Sequence, residues 1–167
     1  MADFVMQVQQ EDEWCWAAVA VSIHSYLNPD SEPAWTQATL ATKVLQEEGT
    51  IPATVNCSDN PDLCDCTAPL STAFTTTGNF SKTVAAPLSF ASLKQQLDNG
   101  IPVCAQIDWF DGGAHAIALD GYQIYTSGEQ AVVVQDPLNR PSIQFYEDLV
   151  SDYPPGGTWS NTFLVKA

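Results

Sequence analysis

The sequence has few basic residues. Five Lys and Arg stand against 20 Asp and Glu, so the formal net charge of the 167-residue chain is −15. A surface this acidic repels phosphate groups, which argues against nucleic-acid binding and against adsorption to anionic membranes. Long apolar runs are missing too, because none approaches the ~20 residues that a membrane-spanning helix needs. The N-terminus lacks the basic and apolar segments of a signal peptide, so none is expected.

Charged residues of both signs are scarce, at 15%, whereas hydrophobic residues make up 45% of the chain. A disordered chain shows the opposite balance, so the composition predicts a folded protein. The length favours a single domain spanning residues 1–167.

The order of the predicted elements indicates the fold class. The stretch from Trp14 to Leu27 has no Gly or Pro, is apolar nearly all round and ends at Asn28-Pro29. It predicts a helix buried in the domain centre. Pro33 at a first-turn position predicts a second helix over 34–47. Further elements are expected as a β-like segment over 4–8, a helix over 90–98, short helices over 69–76 and 145–153, and strands over 101–109, 114–125, 131–135 and 158–165. Helices followed by strands indicate an α+β fold with an antiparallel sheet.

Residues 49–88 show no sustained periodicity and hold three of the five cysteines, so a long irregular segment is predicted there. A disulfide from Cys57 to Cys64 or Cys66 would pin such a loop. Free thiols and a metal site are the alternatives, although a zinc site needs four ligands and no fourth is evident. Cys104, inside an apolar strand, is expected to be a small core residue. A bridge implies an oxidising destination, so secretion or delivery into another cell is favoured over the cytoplasm.

Cys15 is the candidate nucleophile. It lies in the first turn of the predicted first helix, where backbone N–H groups and the helix dipole favour a thiolate. The nucleophile needs a base, and the sequence contains two histidines. His24 lies nine residues further on and faces the opposite side of the helix at about 100° per residue. His115, which follows Gly112-Gly113 at the start of a strand, is therefore the candidate base. The alternatives are a buried structural thiol and a core histidine.

Asp136 is the candidate for orienting His115. The strands on either side of Tyr125 and Gly128 are predicted to form a hairpin. If its turn is centred there, the residue opposite His115 lies at about 136–140, because paired positions in a hairpin sum to a constant. The alternative for Asp136 is an Asp-Pro turn residue that binds its own backbone.

These motifs resemble those of a known family. Trp-Cys-Trp-Ala-Ala over 14–18, Gly-Gly-x-His-Ala around His115 and Val-Gln-Asp-Pro over 134–137 are similar, in the same order, to bacterial papain-like cysteine peptidases. Within them the sequence is closest to the short C39-like and AvrRpt2-like group. The resemblance implies a papain-like α+β fold, with Cys15 on a central helix packed on an antiparallel sheet that carries His115 and Asp136. It also implies an oxyanion-stabilising glutamine six residues before the nucleophile, which is Gln9, with Gln10 as the alternative.

The leading expectation is a cysteine peptidase that hydrolyses peptide bonds through Cys15, His115 and Asp136 and an acyl-thioester intermediate. A deamidase or acyltransferase with the same thioester chemistry and a catalytically silent binding module are the alternatives. The expected partners are a peptide or protein substrate and a protein inhibitor or immunity partner. No cofactor, no metal, no nucleic acid and no membrane is expected, and the chain is expected to be a monomer.

Overall fold

The chain forms an antiparallel sheet flanked by helices. The computed structural model describes residues 3–167. Its helices are α1 (Cys15–Leu27), α2 (Gln37–Glu47), α3 (Pro61–Cys64), α4 (Leu70–Thr77), α5 (Phe90–Asp98) and α6 (Tyr146–Ser151). Its strands are β1 (Phe80–Val84), β2 (Val103–Trp109), β3 (Ala114–Ile124), β4 (Gln130–Gln135), β5 (Ser142–Phe145) and β6 (Gly157–Val165). The strands lie in the order β1-β6-β2-β3-β4-β5, and each neighbouring pair is antiparallel. The predicted α+β class is confirmed.

Helix α1 is the buried central helix that its composition predicted. Every residue from Trp16 to His24 is buried. The helix contacts α2, α4 and β3, so it lies between two helices and the sheet. Cys15 is its first residue and Trp14 is its N-cap. The fold therefore holds the N-terminal end of α1, with its thiol, beside the sheet.

Each face of the sheet has its own apolar core, and β2 contributes to both because its side chains alternate. Cys104 packs into the core between the sheet and α1, where it is fully buried, as predicted for a core residue. Val103 and Ala105 pack into the core on the other face, together with residues of α5 and α6. The sheet therefore joins two helical layers. Within the described residues, no helix has both the length and the apolar character to cross a membrane.

Two predictions near the N-terminus are wrong. Helix α2 begins at Gln37 rather than 34, because Thr36 and Thr39 form a capping box in which each side chain accepts the other's backbone N–H. The predicted β-like segment over 4–8 is extended but pairs with no strand. Side chains bind its backbone instead: Ser22 Oγ accepts from the Gln7 N–H at 2.9 Å, and Gln37 Nε2 donates to the carbonyl of residue 8 at 2.9 Å.

The segment 49–88 is more structured than predicted, since it contains α3, α4 and β1. Strand β1 escaped prediction because it lies at one edge of the sheet, where its Phe-Ser-Lys-Thr-Val sequence is largely exposed and shows no apolar alternation. Strand β5, at the opposite edge, was also missed: it alternates polar and apolar residues but is only four residues long and partly exposed. The short helices predicted over 69–76 and 145–153 are found as α4 and α6.

Candidate active site

Cys15 lies where the sequence placed it, in the first turn of α1. The first backbone N–H groups of a helix have no acceptors within the helix, so they face outward around the thiol. Trp14 and Trp16, on either side, are buried in the core and anchor this turn. The thiol between them stays half-buried and lines an open cleft.

His115 is brought beside Cys15 by the sheet. It is the second residue of β3, pairs with Ile107 of β2, and is 5% exposed. Its ring lines the same cleft as Cys15 on one side. On the other side, Nε2 donates to Asp136 Oδ1 at 2.9 Å. The structure thus brings the three predicted side chains together, with the imidazole between thiol and carboxylate.

His24 lies elsewhere, as the helix geometry predicted. It is buried towards the other end of α1, where its Nδ1 lies 2.8 Å from Asn79 Oδ1. The amide of Asn79 in turn donates to the carbonyl of Lys166 at 2.7 Å. His24 therefore belongs to a buried network that joins α1 to the C-terminal end of the chain.

The electrostatics of the site favour an ion pair. Burial lowers the pKa of His115, but its hydrogen bonds with Asp136 and Cys15, together with their charges, outweigh burial and raise this pKa to about 9. Burial acts to raise the pKa of Asp136, but the His115 hydrogen bond and charge hold it well below its usual range. At neutral pH the site therefore contains an imidazolium and a carboxylate.

Asp136 orients His115 and also binds its own turn. Oδ1 accepts from the Leu138 N–H at 2.8 Å as well as from His115, so both roles considered for this residue are present. Oδ2 accepts from Asn139 Nδ2 at 3.1 Å and from the Tyr153 hydroxyl at 2.8 Å. Both oxygens are thus fully engaged, which fixes the carboxylate plane.

Three neighbours of this pair were missed by sequence reasoning. The indole of Trp109 stacks on the His115 ring, with ring centroids 5.6 Å apart. The ring of Tyr153 stacks on the same indole, with centroids 6.2 Å apart. Asn139 follows Asp136 by three residues, and the turn around Pro137 is a local signal that could have indicated it. Tyr153 and Trp109 reach the site through tertiary packing, for which the sequence carries no local signal.

Gln9 is held next to the site by backbone contacts. Its N–H donates to the Pro137 carbonyl at 3.0 Å, so the segment before α1 is tied to the turn after Asp136. Its side-chain Nε2 donates to the carbonyls of Glu11 and Asp12 at 2.9 and 2.6 Å, and its Oε1 is buried without a hydrogen-bond partner. Gln10, the alternative, is exposed and binds Gln37 through its backbone N–H. Gln9 is therefore the half-buried of the two, and its amide is held in a fixed orientation.

A cleft of about 440 Å³ opens beside Cys15 and His115. One wall comes from residues 67–71, at the start of α4, and the other from residues 113–116 of the sheet. Gln106 and Phe163 contribute from the neighbouring strands. Gly113 has a φ of +86°, which favours glycine and leaves this wall without a side chain. The cleft has the size of a site for one or two residues of an extended peptide.

The cysteine-containing loop packs directly against the Cys15 turn. Cys57 and Cys64 form a disulfide, one of the two pairings predicted, and Cys66 is free. Trp14 Nε1 donates to the Cys64 carbonyl at 2.7 Å, and Trp16 Nε1 donates to the Cys66 carbonyl at 3.0 Å. The bridged loop therefore supports the residues on both sides of the thiol.

Across residues 3–167, no group of three or more His, Cys, Asp or Glu side chains is placed to hold a metal ion.

Comparison with known proteins agrees with the geometry of the site. A search of curated proteins finds no match. A family model described as the Peptidase_C39 like family matches residues 1–153, which include Cys15, His115 and Asp136. The C39-like part of the resemblance is confirmed, and the sheet and helices agree with a papain-like fold. The chain belongs to the Peptidase_C39 like family.

Proposed function

We propose that this protein is a cysteine peptidase in which Cys15, His115 and Asp136 act as a catalytic triad. The observation that carries the proposal is that Cys15 and His115 line one open cleft while the imidazole is hydrogen-bonded to the Asp136 carboxylate. An imidazolium that faces a thiol at a helix N-terminus favours the thiolate, which is the competent nucleophile. Membership of a peptidase-related family supports the same reaction class.

The proposed reaction has two stages. The Cys15 sulfur attacks the peptide carbonyl, and the imidazolium of His115 gives its proton to the departing amine, which leaves an acyl-thioester. His115, now neutral, takes a proton from water as the water attacks the thioester, and the acid product leaves as the thiolate is restored. Asp136 keeps Nε2–H engaged, so that the other ring nitrogen faces the sulfur in both stages.

Gln9 is the proposed oxyanion donor, together with backbone N–H groups of the first turn of α1. Both hydrogens of its amide are engaged by the carbonyls of Glu11 and Asp12 in the free protein. Asp12 is exposed, so water can take over its carbonyl and release one amide hydrogen to the oxyanion. This exchange explains how an amide that is fully bonded at rest can still serve the transition state.

The proposed substrate is a peptide or an unfolded protein segment that lies extended in the cleft. Trp16, Leu70 and Phe163 give the cleft a largely apolar lining, which supports an apolar side chain next to the scissile bond. The Cys57–Cys64 bridge supports function in an oxidising compartment, since disulfides persist there and are reduced in the cytosol.

Incubation with a diverse peptide library, read by mass spectrometry, tests the proposal. We expect chain cleavage by the wild type and less than ~1% of that rate after Cys15→Ala, because removal of a triad nucleophile costs many powers of ten. Cys66→Ala is the matched control, since it removes a half-buried free thiol outside the triad. A mass gain of about 1 Da without cleavage would indicate a deamidase instead, and unchanged peptides would indicate a binding module.

A further inference from the structure

Apart from His115, the buried hydroxyl of Tyr153 is the hydrogen-bond partner of Asp136, among the described residues, that comes from outside its own turn. Leu138 and Asn139 lie in the same turn as Asp136 and move with it. Tyr153 follows α6 and donates to Oδ2 at 2.8 Å from outside that turn. We propose that Tyr153 is a positioning residue, which holds the Asp136 carboxylate in place and, through it, the ring of His115. The proposal rests on the proposed function, in which His115 transfers the proton.

The backbone around Tyr153 is rigid enough for this role. Its N–H donates to the Gly157 carbonyl at 2.8 Å, and its own carbonyl accepts from the Gly157 N–H at 3.0 Å. Gly157 begins β6, which pairs with β2 in the middle of the sheet. The hydroxyl is therefore fixed relative to the same sheet that carries His115.

The Tyr153 hydroxyl is less accessible to water than the Asn139 amide. The Tyr153 side chain and Asp136 are both buried, at 4% and 3% exposure. The indole of Trp109 stacks on Tyr153 and on His115, and so covers the site from one side. Asn139, the other donor to Oδ2, is exposed, so its hydrogen bond can be replaced by solvent. The two donors to the same oxygen should therefore differ in importance.

The hydroxyl remains a donor throughout the working pH range. Burial and the neighbouring charge of Asp136 raise the pKa of Tyr153 far above its ordinary value. Without this donor, Asp136 Oδ2 is left buried and short of a partner, and the carboxylate turns towards other donors. Oδ1 then leaves the line of the His115 N–H, and the imidazolium loses part of its stabilisation. The pKa of His115 should fall as a result.

Tyr153→Phe is the test, since it removes the hydroxyl and keeps the stacked ring. The matched control is Tyr146→Phe, which removes the hydroxyl that donates to the Leu88 carbonyl at 2.6 Å and so lies outside the site. Two readouts are needed on folded protein of known thermal midpoint. One is kcat and KM on a cleaved peptide. The other is the rate at which iodoacetamide alkylates Cys15 as a function of pH, measured in a Cys66→Ala background.

For Tyr153→Phe we expect kcat to fall about tenfold with KM within about twofold, as for a lost hydrogen bond to a charged group. The alkaline limb of kcat, and the pH at which the alkylation rate changes as His115 loses its proton, should move down by about one pH unit. Tyr146→Phe should leave both profiles unchanged, and Asn139→Ala should shift them less than Tyr153→Phe does. Profiles of Tyr153→Phe that superimpose on wild type, or shifts equal to those of Tyr146→Phe, would overturn the proposal.

The two proposals can fail separately. If the wild type cleaves no peptide but Tyr153→Phe still shifts the alkylation profile, the peptidase function fails and the positioning role stands. If the wild type cleaves peptides in a Cys15-dependent manner and Tyr153→Phe changes neither kcat nor either profile, the positioning role fails and the peptidase function stands.

Discussion

The ion pair between His115 and Asp136 predicts that the protein loses stability as the solution becomes alkaline. The pKa of His115 is about 9 in the folded chain, against 6.5 as its ordinary value. A raised pKa means that the folded state holds the proton more tightly than the unfolded state. The stabilisation is therefore complete below pH 6.5 and is lost as the pH rises through 9. Converted at about 1.4 kcal/mol per pH unit, this difference corresponds to about 3 kcal/mol.

The lowered pKa of Asp136 has the opposite sign and sets the acid limit. Its contribution is complete above about pH 4, the ordinary range of an aspartate, and is lost as the pH falls. Between about pH 4 and pH 6.5 both of these contributions are complete. We therefore expect the pair to contribute most to the free energy of unfolding in this range.

Urea unfolding at a series of pH values from 6 to 10 measures the effect. Other groups also titrate over this range, so the quantity of interest is the difference between wild type and His115→Gln. That difference should shrink by about 3 kcal/mol between pH 6 and pH 10. The difference between wild type and Asp136→Asn should shrink in the same way, because neither variant keeps the ion pair. Free energies of unfolding that run parallel for wild type and His115→Gln across the whole range would refute the reasoning.

Two further predictions separate catalysis from stability. Gln9→Ala should lower kcat by about a hundredfold with little change in KM, as for the loss of an oxyanion donor; a kcat within threefold of wild type would assign that role to another group. His24→Ala should lower the free energy of unfolding by about 1–3 kcal/mol, because it leaves Asn79 Oδ1 buried without its hydrogen-bond partner. The value of kcat/KM should stay at that of the wild type. A loss of kcat/KM at full stability would contradict the placement of His24 outside the site.

The three residues of the proposed triad could be selected from the sequence because each carries a signal of its own. Cys15 lies in the first turn of a helix whose limits are marked by composition, and His24 is excluded by helix geometry alone. Asp136 follows from the register of one hairpin: Ala118 pairs with Gln135, which places residue 138 opposite His115. A register shift lies between Leu119 and Gly121, closer to the turn. It changes the sum of paired positions by one residue, so residue 138 still falls within the predicted range of 136–140.

The rest of the site could not be predicted, because it depends on contacts between distant segments. Tyr153 reaches Asp136 only after α6 and the start of β6 have packed on the sheet. Strands β1 and β5 are short and largely or partly exposed at the two edges, where pairing depends on the neighbouring strand. The start of α2 depends on hydrogen bonds between Thr36 and Thr39, whereas the position of Pro33 alone predicts a start three residues earlier.

The disulfide loop shows most clearly how tertiary contacts change a functional expectation. In sequence, Cys57 and Cys64 lie far from His115 and Asp136, which favours a loop that is independent of catalysis. In the structure, backbone carbonyls of the loop accept hydrogen bonds from the two tryptophans beside Cys15. Asp65 Oδ1 also accepts from the backbone N–H of Glu13 at 2.7 Å. Residues 67–71, which follow directly, form a wall of the cleft. We therefore expect the bridge to support the cleft wall as well as the fold.

Removal of the bridge in a Cys57→Ser, Cys64→Ser double variant should lower the free energy of unfolding by about 2–3 kcal/mol, the loop-closure value for a bridge that spans seven residues. KM should rise several-fold, because the cleft wall loses its support. The pH profile of kcat should stay in place, since His115 and Asp136 lie on the sheet and keep their hydrogen bond. Cys66→Ser, which leaves the bridge intact, is the matched control, and an intact mass about 2 Da below the all-thiol value verifies the bridge in it. A double variant that is destabilised yet keeps the wild-type KM would show that the loop serves the fold alone.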